Sequence, residues 1–191
     1  MRTFQIGSIR FSALFVLASV LCPVALAQHH LSGRNGEQTS FSMEDTFRRT
    51  VKLPRYVIKQ MALSDETLSP AEREEYAAEL PGRVQGVLVN LNNDGKADLL
   101  VKGDDGANVT GFWVFRNLGG KYRLVFDARA FVLELKRTYT NGFRDISIEK
   151  MSAVTLWGVL LKFDGQKYRA VKCWEQELGN PKAKAHYTKC T

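Results

Sequence analysis

From Gly82 onward the sequence never settles into a helical period. Short strand-forming runs follow one another instead, at 84–91, 98–102, 110–116, 122–126, 131–135, 144–149, 153–163 and 167–174. Turn residues separate them, among them Asp104-Asp105-Gly106, Asn117-Leu118-Gly119-Gly120, Asn141-Gly142 and Asp164-Gly165-Gln166, and Gly, Asn and Asp accept the backbone angles that tight turns demand. A parallel pair needs a crossover of a dozen or more residues. No such segment separates these runs, so the strands should be antiparallel. The run Phe112-Trp113-Val114-Phe115 must also send alternate side chains to opposite faces of its sheet. Either helices upstream of Gly82 cover the second face of such a sheet, or an aromatic patch is left exposed for a partner; the N-terminal helices favour cover.

Those upstream residues carry helix signals. Met43, Phe47 and Val51, then Tyr56, Val57, Met61 and Leu63, recur at intervals that make one apolar face, and Pro54 suits the first turn of a new helix. Ser69-Pro70-Ala71-Glu72 combines an N-cap serine, a proline at the first helical position and a glutamate two positions after it. That helix should run to about Leu80, where Pro81-Gly82 stops it, with Glu72, Arg73, Glu74, Glu75 and Glu79 on a solvated face. The expected fold is α+β: N-terminal helices packed on a mainly antiparallel sheet of about seven strands, partly like a propeller blade. The blade element rests on an internal echo, Gly120-Lys121-Tyr122-Arg123 against Gln166-Lys167-Tyr168-Arg169, about one blade period apart.

Between the first two strand runs lies Asn90-Leu91-Asn92-Asn93-Asp94-Gly95-Lys96-Ala97-Asp98. Numbered from Asn90, oxygen-bearing side chains fall at one (Asn90), three (Asn92), five (Asp94) and nine (Asp98). Gly95 at six allows a sharp turn, and Lys96 offers its carbonyl at seven. This is the ligand order of a loop that wraps a hard cation such as calcium. An EF-hand does not fit, because its twelfth position falls on Val101, which has no carboxylate, and the flanks are strands. A metal-free turn built from Asn and Asp side chains is the competing account of the same residues.

The stretch 87–101 resembles the FG-GAP or VCBS-type repeat of integrin-like β-propellers, in which an Asp-x-Asn-x-Asp-Gly-x-x-Asp loop joins two strands and holds calcium. The resemblance implies Asn92, Asp94, Asp98 and the Lys96 carbonyl as ligands, with Asn90 standing where the family usually has aspartate. Two carboxylates imply weak calcium affinity, on the order of 10⁻⁴ to 10⁻³ M. The downstream runs, including Thr140-Asn141-Gly142-Phe143-Arg144-Asp145-Ile146, resemble exported bacterial proteins that carry a single such loop. No activity follows from that second resemblance.

The first 27 residues read as a signal peptide: Arg2 and Arg10 give a basic start, an apolar stretch from Phe11 to Leu21 follows and is ended by Pro23, and Ala25-Leu26-Ala27 offers small residues for cleavage. The apolar stretch is too short for a spanning helix, so no transmembrane segment is expected after cleavage. Residues 28–42, with His29 and His30, read as a flexible mature N-terminus, and 43–191 as a single domain. Export, to the periplasm or beyond the cell, makes a disulfide between Cys173 and Cys190 the expected state of the two remaining cysteines.

Charge is uneven. Residues 121–191 carry 14 basic and 7 acidic side chains, whereas 28–120 carry 11 and 13. A basic C-terminal half, with Lys167, Arg169 and Lys172 close together, suits an anionic envelope polymer or a partner protein; export argues against nucleic acid. No Gly-x-Ser-x-Gly elbow, His-Glu-x-x-His helix or phosphate loop occurs. Asp104, Asp105 and Asp145 have no spacing that makes a carboxylate site, and Asp145 reads as a partner of the Asn141-Gly142 turn. The sequence therefore points to a non-catalytic binding module with one structural calcium-type loop. An inhibitor or immunity-type protein acting through the basic surface is the rival, and a hydrolase a more distant third.

Overall fold

A computed structural model describes residues 38–47, 49–103, 109–180 and 183–190. The signal segment, His29, His30 and the Asp104-Asp105-Gly106 turn lie outside the described residues. In chain order the elements are β1 (Ser40–Ser42), α1 (Arg55–Ser64), α2 (Pro70–Glu79), a 3₁₀ turn (Leu80–Gly82), β2 (Val84–Val89), β3 (Asp98–Gly103), β4 (Thr110–Asn117), β5 (Tyr122–Ala130), β6 (Val132–Thr140), β7 (Phe143–Met151), β8 (Thr155–Phe163), β9 (Tyr168–Glu177) and β10 (His186–Thr188). The fold is α+β with antiparallel pairing, as the turn spacing required. The strands number ten among the described residues, however, and divide into two sheets, β2-β3-β4-β5 and β1-β6-β7-β8-β9-β10. The first is a four-stranded meander, the unit of a propeller blade.

The division happens at one residue. β5 ends at Ala130, β6 starts at Val132, and the Phe131 amide donates to Glu149 O at 2.7 Å, already inside the second sheet. The two sheets share one core, in which Leu100, Phe112 and Val114 meet Leu133, Ile146 and Phe163. The opposite face of the four-stranded sheet presents Leu99, Val101, Trp113 and Phe115 to Val57, Ile58 and Met61 of α1 and to Leu80. The helices are thus the second cover that the Phe112–Phe115 run needed. Gln60 fastens α1 to the sheet edge: its Nε2 donates to Tyr122 O at 3.0 Å and its Oε1 accepts from Leu124 N at 3.0 Å.

Two expectations need correction. Residues 43–47 and 49–51 are not helical, and residues 40–42 are not a flexible end. Ser40–Ser42 pairs with β6, Phe41 is fully buried, and Leu135 N donates to Thr39 O at 2.7 Å. Lys102 Nζ then takes the carbonyls of Ser42, Met43 and Asp45, so these acceptors are spent on a lysine and not on a helical ladder. Phe47 drops into the shared core, edge-on to Phe41 at 5.6 Å. Met43, Phe47 and Val51 belong instead to an irregular connection that turns at Ser42–Asp45 and reaches β2, where Val51 N donates to Gly86 O at 2.9 Å.

Several other local readings are realised. Ser69 and Glu72 form the reciprocal cap of α2. Asn141 and Gly142 adopt φ of 50° and 78°, the pair of positive values a two-residue hairpin turn requires. The Tyr122 and Tyr168 echo opens strands in different sheets, so it marks two hairpin starts and not two blades. Cys173 and Cys190 form a disulfide, Cα–Cα 5.3 Å, next to the β9–β10 pairing. The Trp174 indole lies against the backbone of Gly158 across from it, where an added Cβ would strike the ring. Gly158→Ala should therefore lower stability by about 1–3 kcal/mol, measured by urea denaturation. An unchanged midpoint would show that the indole moves aside freely.

Candidate functional site

The loop 90–98 sits where three parts of the molecule meet. Its exposed half is a net of side-chain-to-backbone bonds. Asn90 Oδ1 accepts from Asn93 N at 2.8 Å, Asn92 Oδ1 from Asp94 N at 3.2 Å, and Asp94 Oδ1 from Lys96 N at 2.8 Å. Asn92 Nδ2 donates to Asp94 Oδ2 at 3.0 Å. Asn93 and Gly95 take φ of 57° and 77°, which bends the chain through these turns. The Asp94 carboxyl is held below the usual carboxylate range, chiefly by the Lys96 amide.

Asp98 differs from the rest. It is 1% exposed, with Oδ2 accepting from Leu91 N at 3.1 Å and Oδ1 from Asn117 N at 2.8 Å. Burial raises its carboxyl above the usual range, against the pull of those two amides. Leu91 is itself fully buried, and its carbonyl accepts from Arg144 N of β7 at 2.7 Å. Asn117 Nδ2 returns to Ala97 O at 2.9 Å. The carboxylate thus joins the loop to the end of β4, and the adjoining backbone joins it to the second sheet.

Asn90, Asn92, Asp94 and the Lys96 carbonyl lie on the solvent side, and each carboxylate or amide oxygen that accepts one hydrogen bond keeps a second lone pair. Among the described residues no three His, Cys, Asp or Glu side chains converge, so the charge at the loop comes from Asp94 and Asp98.

The basic residues are brought together by a bulge. Leu161 pairs with Ala170 and Leu160 with Lys172, which leaves Val171 as an extra residue. Arg169 therefore shares a face with Lys172 and with Lys162 opposite it. Arg169 Nε is bonded to Asp164 Oδ2 at 3.0 Å, Lys172 Nζ lies 3.9 Å from the centre of the Tyr187 ring, and Lys167 stands exposed at the turn. Asp145, read as a partner of the Asn141 turn, instead accepts from Thr138 Oγ1 at 2.6 Å; Asn141 Nδ2 donates to Phe163 O at 2.7 Å.

Sequence reasoning passed over two concavities. One, of about 300 Å³, is lined by Asp65, Glu66, Asp127 and Arg129 beside Trp113. The other is a groove of about 1070 Å³ between α1 and α2. Its signal was present as a second stripe on each helix, Arg55, Ile58, Lys59 and Ala62 on α1 and Pro70, Arg73, Glu74, Ala77 and Ala78 on α2, at three- and four-residue spacing. Arg73 and Glu74, expected on a solvated face, line this groove. Among the described residues no helix is long and apolar enough to cross a membrane. No protein-family model, curated protein or solved structure matches the chain.

Asp127 gives a pH test of the smaller concavity. Burial raises its carboxyl, a hydrogen bond with Ser64 lowers it, and Asp65 and Glu66 raise it further. A raised folded-state value means that the group favours folding while protonated, and that this contribution is lost as pH rises through the raised value. Asp127→Asn should therefore be more stable than the parent protein at pH 7, and the gap should close near pH 4, around the ordinary aspartate range. Urea midpoints at the two pH values measure this; equal gaps at both would refute it.

Proposed function

We infer that this protein is an exported, non-catalytic binding module whose Asn90–Asp98 loop is a calcium-type joint of the integrin-repeat kind. The observation that carries the reading is the double attachment of the loop. The buried Asp98 carboxylate ties it to β4 through Asn117 N, and the Leu91 backbone ties it to Asp98 and β7. A loop fastened this way positions two sheets. The residues that would hold calcium are Asn90, Asn92, Asp94, Asp98 and the Lys96 carbonyl. The ion would supply a local positive charge beside two carboxylates, and it would tighten the exposed half of the loop without entering any reaction.

One observation favours a second reading, an inhibitor or immunity-type protein that meets an anionic polymer or protein. The Val171 bulge lines up Arg169, Lys172 and Lys162 on one sheet face, which is the register an extended anionic partner needs.

Calorimetric titration with calcium chloride, with thermal melts in calcium and in chelator, tests the first reading. Binding in the millimolar range and a higher Tm in calcium are expected. Asp94→Ala should abolish the heat and lower the melt in chelator only slightly, since its bonds to Lys96 N and Asn92 Nδ2 are exposed. Asp98→Ala should also lower that melt, because it strands two buried amides at a cost of about 1–3 kcal/mol each. No heat and no Tm shift at millimolar calcium would sink the calcium reading. For the second reading, replacing Lys167, Arg169 and Lys172 by alanine should reduce retention on immobilised heparin, whereas Asp94→Ala should not; unaltered retention of the triple variant counts against it.

A further inference from the structure

The largest concavity among those described is the groove of about 1070 Å³ between α1 and α2, just above the roughly 300–1,000 Å³ range of small-molecule sites. Its floor and walls are aliphatic: Val51 and Leu53 from the crossing segment, Ile58 and Ala62 from α1, Ala77 from α2, and Val84 from β2. Leu63, half exposed at 51%, extends the apolar surface at one end. The lining contains no aromatic ring on which a sugar or base would stack, and no neutral hydroxyl or amide side chain to meet a polyol. That chemistry selects an alkyl chain.

The rim selects a charge. Lys52, Arg55, Lys59 and Arg73 line the groove against the single acid Glu74. Arg73 is engaged, its Nε donating to Asp65 O at 3.1 Å. Lys52, Arg55 and Lys59 are exposed, and Arg55 and Lys59 are one helical turn apart on the same stripe as Ile58 and Ala62. A cationic cluster at the mouth of an aliphatic groove complements an anionic head on an apolar tail.

We propose that the α1–α2 groove binds a single-chain anionic amphiphile of the fatty-acid class, with its tail along Ile58, Ala62 and Ala77 and its carboxylate at Arg55 and Lys59. This goes beyond the calcium-loop reading and rests on different residues. The α2 wall is suited to admitting such a chain. It carries no fully buried residue, and only Tyr76 and Ala77 pack, partly buried, against the core beneath α1, so the groove can widen at the expense of few contacts.

The test is calorimetric titration of the purified protein with laurate, dodecyltrimethylammonium and butyrate, all below micelle formation. Laurate should bind one to one, and the cationic and short-chain probes about tenfold more weakly or worse. Arg55→Glu with Lys59→Glu should cost about tenfold in laurate affinity and improve binding of the cationic probe. Ala78→Trp, at an exposed position on α2, should block laurate with an unchanged melt. Asp94→Ala should leave laurate binding intact, so failure of the calcium reading and failure of this one are separable. Equal affinity for both head-group charges, absence of laurate heat, or binding of an acidic amphipathic peptide where laurate fails would each overturn the proposal.

Discussion

The four-stranded sheet is apolar on both faces, and the rest of the architecture follows from that. All six residues of β3 are buried, as are the first six of β4. Leu100, Phe112 and Val114 point one way while Leu99, Val101, Trp113 and Phe115 point the other. Fully burying a side chain of this size stabilises by about 1.5–3 kcal/mol, so neither face can be left in water. The chain meets the demand with two different covers. One face takes the longer sheet, entered by the switch at Phe131. The other takes α1, fixed by Gln60 to the outermost strand, β5. That contact also occupies backbone groups of an edge that would otherwise be open to pairing.

The two sheets need a joint where they diverge, and the loop 90–98, bonded to Asn117 of β4 and Arg144 of β7, is placed at it. Burying the Asp98 carboxylate is costly unless donors compensate; two backbone amides do so, and charge-assisted bonds of this kind are stronger than neutral ones. They offset the burial only in part, since the carboxyl remains raised. A nearby cation would complete the compensation, which is why one residue pattern serves both a calcium loop and a metal-free joint. The exposed half of the loop is where the two would differ, because Asn90, Asn92 and Asp94 there bond chiefly to the loop's own backbone.

Much of this was legible from residues in order along the chain. Turn chemistry located the hairpins at Asn117 to Gly120, Asn141-Gly142 and Asp164-Gly165, and Ser69-Pro70-Ala71-Glu72 announced α2. What was hidden depends on contacts between distant segments. No local signal tells that Lys102 will take the carbonyls of Ser42, Met43 and Asp45 and so keep that segment out of a helix, nor that Phe131 will carry the chain into a second sheet. β1 and β10, three residues each, are strands only because β6 and β9 offer them an edge. At the site, residue types placed Asn90 to Asp98 in a hairpin connection. They did not distinguish Asp94, exposed on the rim, from Asp98, buried beneath it. The α1–α2 groove escaped notice because each helix carries two stripes, and the stripe packed on the sheet gave the stronger apolar signal.

The two helices are held by different forces, and this sets where a ligand can act. α1 buries Val57, Ile58, Met61 and Ala62, so displacing it would expose the floor of the sheet. α2 buries nothing fully. Its N-terminus rests on the Ser69–Glu72 reciprocal cap, an N-cap serine being worth about 1 kcal/mol. Tyr76 and Ala77 rest partly buried on the core cluster, and the Arg73 bond to Asp65 and the exposed Arg83–Glu79 pair add little more. An element with so few buried contacts belongs to the low-stability end of a fold, and it can adjust its position at small cost. A groove with one wall anchored in the core and the other held by caps has its basic rim on the anchored side, through Arg55 and Lys59. Recognition of charge is then built on rigid structure, while accommodation of the apolar body falls to the wall that can move.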